Sequence, residues 1–204
     1  MTDGLLEIWN GLRSGNVLDQ LNLVLGITGV TLMIRRSLWA FPVGMVAVTV
    51  QGVLFWQATF YADAKLQMFF FGCLGYGWWH CVKAKGVAEA ELPVTSLSWQ
   101  VRLIWIGIGL GVMGGWGAWQ AAHTDAVMPY RDTFIAAFSM VAQVLQARKK
   151  VENWAGWVAV NTVAVVTYWS AGLVFTSFLY LVFLGMGIWG WRSWYQAMQA
   201  EGRP

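Results

Sequence analysis

The stretch RKKVENWAGWVAVN, residues 148–161, opens on three cations, passes through Glu152 and runs on into apolar residues. An apolar run that begins at a knot of charge reads as a membrane span anchored at its cytoplasmic end. Glu152 is placed to balance one cation and to favour a helix N-terminus. Trp154, Trp157 and Asn161 follow at spacings of three and four, which puts them on one face of a helix. The stretch thus carries two signals: the direction of a span, and an aromatic and amide stripe that descends from the cytoplasmic face.

The rest of the chain agrees with a membrane reading. Of its 204 residues 58% are hydrophobic and only 11% charged, whereas a soluble domain carries about 25% charged residues. Apolar runs close to the roughly 20 residues that cross a bilayer core recur along it. The expected fold is an all-α polytopic membrane protein with seven spans, at 19–34, 39–58, 63–82, 101–120, 132–147, 152–170 and 173–194. A polar linker, 83–100, is too short to hold a further domain. Residues 1–16 lack a basic segment followed by an apolar one, so no cleavable leader is read; they suit a short amphipathic helix in the interface. The net charge of +3 is too small to imply a nucleic acid partner. Cys73 and Cys81, eight apart in one span, would lie about 12 Å apart along it, too far for a disulfide.

Odd and even connections fall on opposite sides. One side gathers ten cations, among them Arg35, Arg36, Lys83, Lys85, Arg102 and the 148–150 cluster, and the other has three: Arg13, Lys65 and Arg131. Positive residues concentrate on the cytoplasmic side, so the N-terminus is expected outside and the C-terminus inside.

The chain also resembles itself. At a shift of 115, Trp39 falls on Trp154, Ala40 on Ala155, Gly75 on Gly190 and Trp79 on Trp194. At a shift of 113, Asp19 falls on Asp132 and Arg35 on Arg148. This predicts two parallel three-helix repeats, 1–82 and 132–204, joined by a linker and connecting helix, 83–131: a 3+1+3, SWEET-like arrangement. Transporters built from such repeats bind substrate at the repeat interface near the midplane.

The fourth span holds GLGVMG, residues 109–114, a literal G-x-G-x-x-G. Inside an apolar span it lacks the strand that a dinucleotide site requires. Gly107, Gly111 and Gly115 instead recur every fourth residue, as a face for close helix packing, within the chain or against another subunit.

Polar side chains within spans mark binding candidates. Gln51 and Gln67 stand in the second and third spans. Ser139, Gln143 and Gln146 share one face of the fifth, and Trp154, Trp157 and Asn161 one face of the sixth. The seventh holds Thr176, Ser177 and Tyr180. Trp39, Trp105, Trp191 and Trp194 read as interfacial belt residues. No Asp, Glu, Lys, Arg or His occupies the middle of a span. Metal-ligand spacings, nucleophile–base pairs and a nucleotide loop are all missing, so neither metal nor cofactor is expected and an enzyme is disfavoured. Without an intramembrane acid or histidine, proton coupling has no group to run through. The expectation is passive transport of an uncharged solute or a flat delocalised cation, held by stacking, cation–π attraction and amides.

WAFPVG (39–44), YADAKLQMFFFGCLGYGWW (61–79), QARKKVENWAGWVAVN (146–161) and SFLYLVFL (177–184) resemble the PnuC-type vitamin transporter family across nearly the whole chain. The resemblance implies a 3+1+3 helix fold in the bacterial inner membrane, a homotrimer in the lipid bilayer, and facilitated diffusion of nicotinamide riboside followed by metabolic trapping in the cytoplasm. Thiamine and riboflavin are the alternative substrates within the family. It also implies that Trp154, Trp157, Asn161 and Gln143 bind the vitamin, with Gln51, Gln67, Tyr61 and Tyr180 as further candidates. The rival reading from another class is a non-transporting membrane assembly or receptor subunit.

Overall fold

The structure, a computed structural model, describes residues 17–57, 61–88, 93–124, 128–172 and 174–201. Seven helices account for nearly all of them: α1 Val17–Ile34, α2 Ala40–Gln57, α3 Tyr61–Ala88, α4 Trp99–His123, α5 Pro129–Ala147, α6 Asn153–Ser170 and α7 Val174–Glu201. The interfacial helix expected at 1–16 lies outside the described residues. Seven helices stand where seven spans were expected, but α3 and α7 are 28 residues long each and outrun their expected ends at 82 and 194. Hydropathy marks where the hydrocarbon stops. Lysine, glutamine and alanine go on favouring a helix beyond that point, so the first residues of the expected linker are helical. α4 likewise runs on to His123, past its expected end at 120.

α2 and α4 are each long and apolar enough to cross a membrane by length and composition. The surface is apolar where a soluble protein would be charged. Leu103, Ile104, Ile106, Ile108 and Leu110 of α4 are all exposed, an arrangement suited to contact with lipid.

Consecutive helices pack in two runs, α1 on α2 on α3 and α5 on α6 on α7, with α4 against α5. Two further contacts join the runs, α3 with α5 and α1 with α7. α4 meets α5 through Gly109, under the Phe138 ring, and Gly117, under Tyr130 and Thr133. The seam within the chain therefore uses this glycine pair. Gly107, Gly111 and Gly115, expected as a packing face, look onto open space.

The turns after α1 and α5 are alike. Arg36 and Lys149 adopt φ of 59° and 54°, the left-handed conformation that closes a helix end. Arg36 N–H donates to Met33 O and Ser37 N–H to Leu32 O, each at 3.0 Å. Lys149 N–H donates to Gln146 O at 3.0 Å and Lys150 N–H to Leu145 O at 2.9 Å. Both are Schellman pairs, and every residue in one sits 113 positions from its partner in the other. The match continues into the next helix, where Phe41 N–H to Leu38 O corresponds to Trp154 N–H to Val151 O. The register of α2 against α6 is therefore 113, and the shift of 115 drawn from Trp39 and Trp154 is corrected. Trp39 is 71% exposed whereas Trp154 is 2% exposed; the residue that matches Trp154 is the buried Phe41.

Phe41 and Trp154 do the same work. A Cβ at Gly77 would lie 2.6 Å from the Phe41 ring, and one at Gly190 2.5 Å from the Trp154 ring. Each aromatic fills the space that its facing glycine leaves. Trp194, expected in the interfacial belt, is fully buried. Its indole N–H donates to Met33 O at 3.0 Å, and its ring meets Trp154 edge-on at 5.5 Å. α7 continues past it, so the indole lies inside the seam with α1 and α6.

Overpacking of such a seam costs about 1–3 kcal/mol. Gly190→Ala should therefore lower the thermal unfolding midpoint of the purified protein by several degrees. Gly185→Ala, where nothing lies within 4 Å, should leave it unchanged.

Candidate functional site

The site is set by the turn that joins α5 to α6. Residues 93–98 run across this turn and are tied to it. Thr95 N–H donates to Lys149 O at 3.2 Å, Val151 N–H donates to Thr95 O at 3.0 Å, and the Lys150 ammonium reaches the Thr95 hydroxyl at 2.7 Å. Glu152 stands at the N-cap of α6. One of its carboxylate oxygens accepts the Leu97 N–H at 2.8 Å and the Arg102 guanidinium at 2.9–3.0 Å. Its cationic partner is thus on α4, fifty residues away, and not in the adjacent 148–150 cluster. Asn153, fully buried, donates from its amide to Lys150 O at 2.6 Å. α5 and α6 then run side by side so closely that a Cβ at Gly156 would lie 2.9 Å from Ala142 Cβ.

This closeness brings the two predicted stripes to one cavity of about 270 Å³ between the helix runs. Gln143 and Gln146 of α5 and Trp154, Trp157 and Asn161 of α6 form one wall, with Tyr180, Phe183 and Gly187 of α7. The opposite wall is apolar: Val30 and Met33 of α1, Gly44 and Val48 of α2, Phe70 and Leu74 of α3. α4 contributes nothing to the lining. Among the described residues the lining holds no charged side chain.

The polar atoms of the wall differ in what they already bind. Trp157 donates its indole N–H to Gln146 Oε1 at 3.1 Å. The Gln143 amide nitrogen is buried with no hydrogen-bond partner. An orphaned buried donor costs about 1–3 kcal/mol, and a ligand that supplies an acceptor would offset that. Tyr180 stacks on Tyr168 with ring centres 5.1 Å apart, at the end of the cavity away from the 148–150 turn. Trp154 closes the near end, wedged on Gly190 and against Trp194. The arrangement can hold a flat ring against indole and donate to its polar substituents. It holds no acid–base pair, and no group of metal-ligating side chains occurs among the described residues.

Of the eight residues expected at the site, Trp154, Trp157, Asn161, Gln143 and Tyr180 line this cavity. Gln51 does not: its side-chain oxygen accepts from the Asn22 amide, tying α2 to α1. Gln67 does not either, and packs over Gly52 between α2 and α3. The Tyr61 side chain lies outside the described residues. Gln146 stood in the predicted stripe but not among the substrate contacts. The aliphatic and glycine wall from α1 and α2 carried no signal separable from ordinary span composition.

The chain matches the family described as nicotinamide mononucleotide transporter over residues 16–196. It is 28% identical over 183 residues to the nicotinamide riboside transporter PnuC of Escherichia coli, covering 78% of this chain and 77% of that one. It is 27% identical over 200 residues to the riboflavin/roseoflavin transporter RibM of Streptomyces davaonensis, covering 97% of this chain and 89% of that one. Its fold is similar to the crystal structure of the vitamin B3 transporter PnuC, with a TM-score of 0.75 at 18% identity over 97% of this chain and 90% of that one.

An amide kept for a ligand and an amide kept for the fold respond oppositely to replacement. Gln143→Leu should hold or raise the thermal midpoint of the ligand-free protein, because it removes an orphaned buried donor. A fall of several degrees would show that Gln143 serves packing.

Proposed function

The chain belongs to the nicotinamide mononucleotide transporter family, and from that premise we propose that it imports nicotinamide riboside across the bacterial inner membrane by facilitated diffusion, with trapping by another protein in the cytoplasm. The observation that carries this reading is the uncharged cavity with one aromatic and amide wall and one apolar wall. Trp157 supplies a face for a pyridinium ring, an attraction of about 2 kcal/mol or more in a desolvated site. Gln143 and Asn161 supply partners for a carboxamide and for ribose hydroxyls. A nucleotide would bring a phosphate, and the described lining residues include no cation to meet it. The nucleoside therefore fits the cavity better than the mononucleotide in the family's description. Small-molecule pockets span roughly 300–1,000 Å³, and a cavity of about 270 Å³ suits one ring and a sugar better than the three fused rings of riboflavin. Thiamine, with a cationic ring of similar size, is the second candidate.

The reading includes a 3+1+3 architecture, 1–82 and 132–204 about the connector 83–131, with the N-terminus outside and the C-terminus cytoplasmic. The matched turns, the Phe41–Gly77 and Trp154–Gly190 wedges and the reciprocal contacts of α3 with α5 and α7 with α1 support it. At the 113 register the cavity positions pair off as Val30 with Gln143, Met33 with Gln146, Gly44 with Trp157 and Val48 with Asn161. Gly44 and Val48 thus replace Pro42 and Val46, the counterparts that the 115 shift would give. In each pair the first repeat is apolar or bare and the second carries the amide or indole. The open face of α4 at Gly107, Gly111 and Gly115 supports assembly as a homotrimer.

Liposomes containing the protein should accumulate labelled nicotinamide riboside to equilibrium, saturably, with no proton or sodium gradient. The nicotinamide mononucleotide should neither enter nor compete. Uptake that vanishes when ion gradients are collapsed would rule out the passive mechanism.

A further inference from the structure

Two tryptophans line the polar wall, and they are held in different ways. Trp154 is fixed by packing, wedged on Gly190 and edge-on to Trp194. Its indole nitrogen is buried without a hydrogen-bond partner. Trp157 is only partly buried, and its ring is held by the bond from its Nε1–H to Gln146 Oε1. Gln146 is itself 8% exposed. Its backbone carbonyl accepts the N–H of Lys149 in the left-handed turn, so the amide that receives the indole stands on a fixed base.

We infer that Gln146 is a positioning residue for the substrate and acts through Trp157. The inference rests on the reading of this cavity as the vitamin site. The outer torsion of a tryptophan side chain is broad and roughly two-fold, so a partly exposed indole with no bond at its nitrogen samples several ring orientations. Offset stacking and cation–π attraction both need the ring face turned to the ligand. Anchoring the nitrogen edge on α5 keeps that face towards the cavity before substrate arrives, and the ordering cost is not charged against binding. The matched positions in the first repeat are Met33 and Gly44, which can form no such bond. The device therefore occurs once, on the wall that carries the amides, and it orients the substrate ring towards α6.

The test is a double-mutant cycle on the purified full-length protein, read as the Kd for nicotinamide riboside. Gln146→Leu and Gln146→Met each remove the acceptor, and using both guards against a misfit of either. Trp157→Phe keeps an aromatic face and removes the N–H. Each Gln146 variant should weaken binding by about tenfold in the wild-type background, in line with the loss of one pre-ordered side chain. In the Trp157→Phe background the same substitutions should change Kd by less than about twofold. A second readout needs no ligand: the indole N–H resonance of Trp157, identified by its absence in Trp157→Phe, should shift and exchange faster with water in both Gln146 variants. Equal losses in the two backgrounds, or an unmoved indole resonance, would overturn the inference while leaving the cavity as the binding site. Failure of the wild type to bind nicotinamide riboside, thiamine or riboflavin would overturn the functional reading, and this inference with it.

Discussion

The closed turn between α5 and α6 is the constraint on which the cavity depends. Lys149 takes a left-handed conformation there, which costs a side-chain-bearing residue roughly 1–2 kcal/mol. Two backbone hydrogen bonds in the turn and two more to the 93–98 segment offset that cost. Glu152 completes the closure by joining this segment and α4 to the start of α6. The turn sets the angle and the distance at which α5 and α6 meet. Gly156 then lets Ala142 approach, and Gln143, Gln146, Trp157 and Asn161 reach one space. A charged motif that reads in sequence as a topological signal is also what places the polar wall.

Much of this was legible in the sequence because helical geometry is rigid. Residues at spacings of three and four share a face wherever the helix lies, so the Trp154, Trp157 and Asn161 stripe could be read directly. Seven helices could be counted from apolar runs for a similar reason. Gln51 and Gln67 lie outside this cavity, and the sequence did not separate them from its lining because the runs 40–57 of α2 and 68–79 of α3 are apolar on nearly every side. In such helices periodicity does not say which face looks inward; the Gln51 amide bonds Asn22 on α1, and the Gln67 side chain packs over Gly52 of α2. Trp194 was misread because a tryptophan near the end of an apolar run fits both a membrane interface and a buried seam. Only the continuation of α7 to Glu201 and its packing on α1 separate the two. The register error came from matching residue letters, Trp39 with Trp154, where the structure matches roles, Phe41 with Trp154, each filling the space over a glycine.

That corrected register gives the cavity a chemical logic. Two similar halves would build two similar walls. Here the first half contributes glycine, aliphatic side chains and Phe70, and the second contributes glutamine, asparagine and tryptophan beside Tyr180 and Phe183. A flat cationic vitamin is itself two-sided, with an aromatic face that gains from indole and an edge that gains from amides. Under the proposed function, one polar wall and one smooth wall would accommodate it with no charged side chain among the described lining residues.

The most direct test is an experimental structure of the protein with nicotinamide riboside bound. The account predicts the pyridinium ring against the face of Trp157, with the Gln143 amide and Asn161 on the carboxamide and ribose. Ligand density outside this cavity, or a ring seated on the α1–α2 wall out of reach of Trp157, would contradict it.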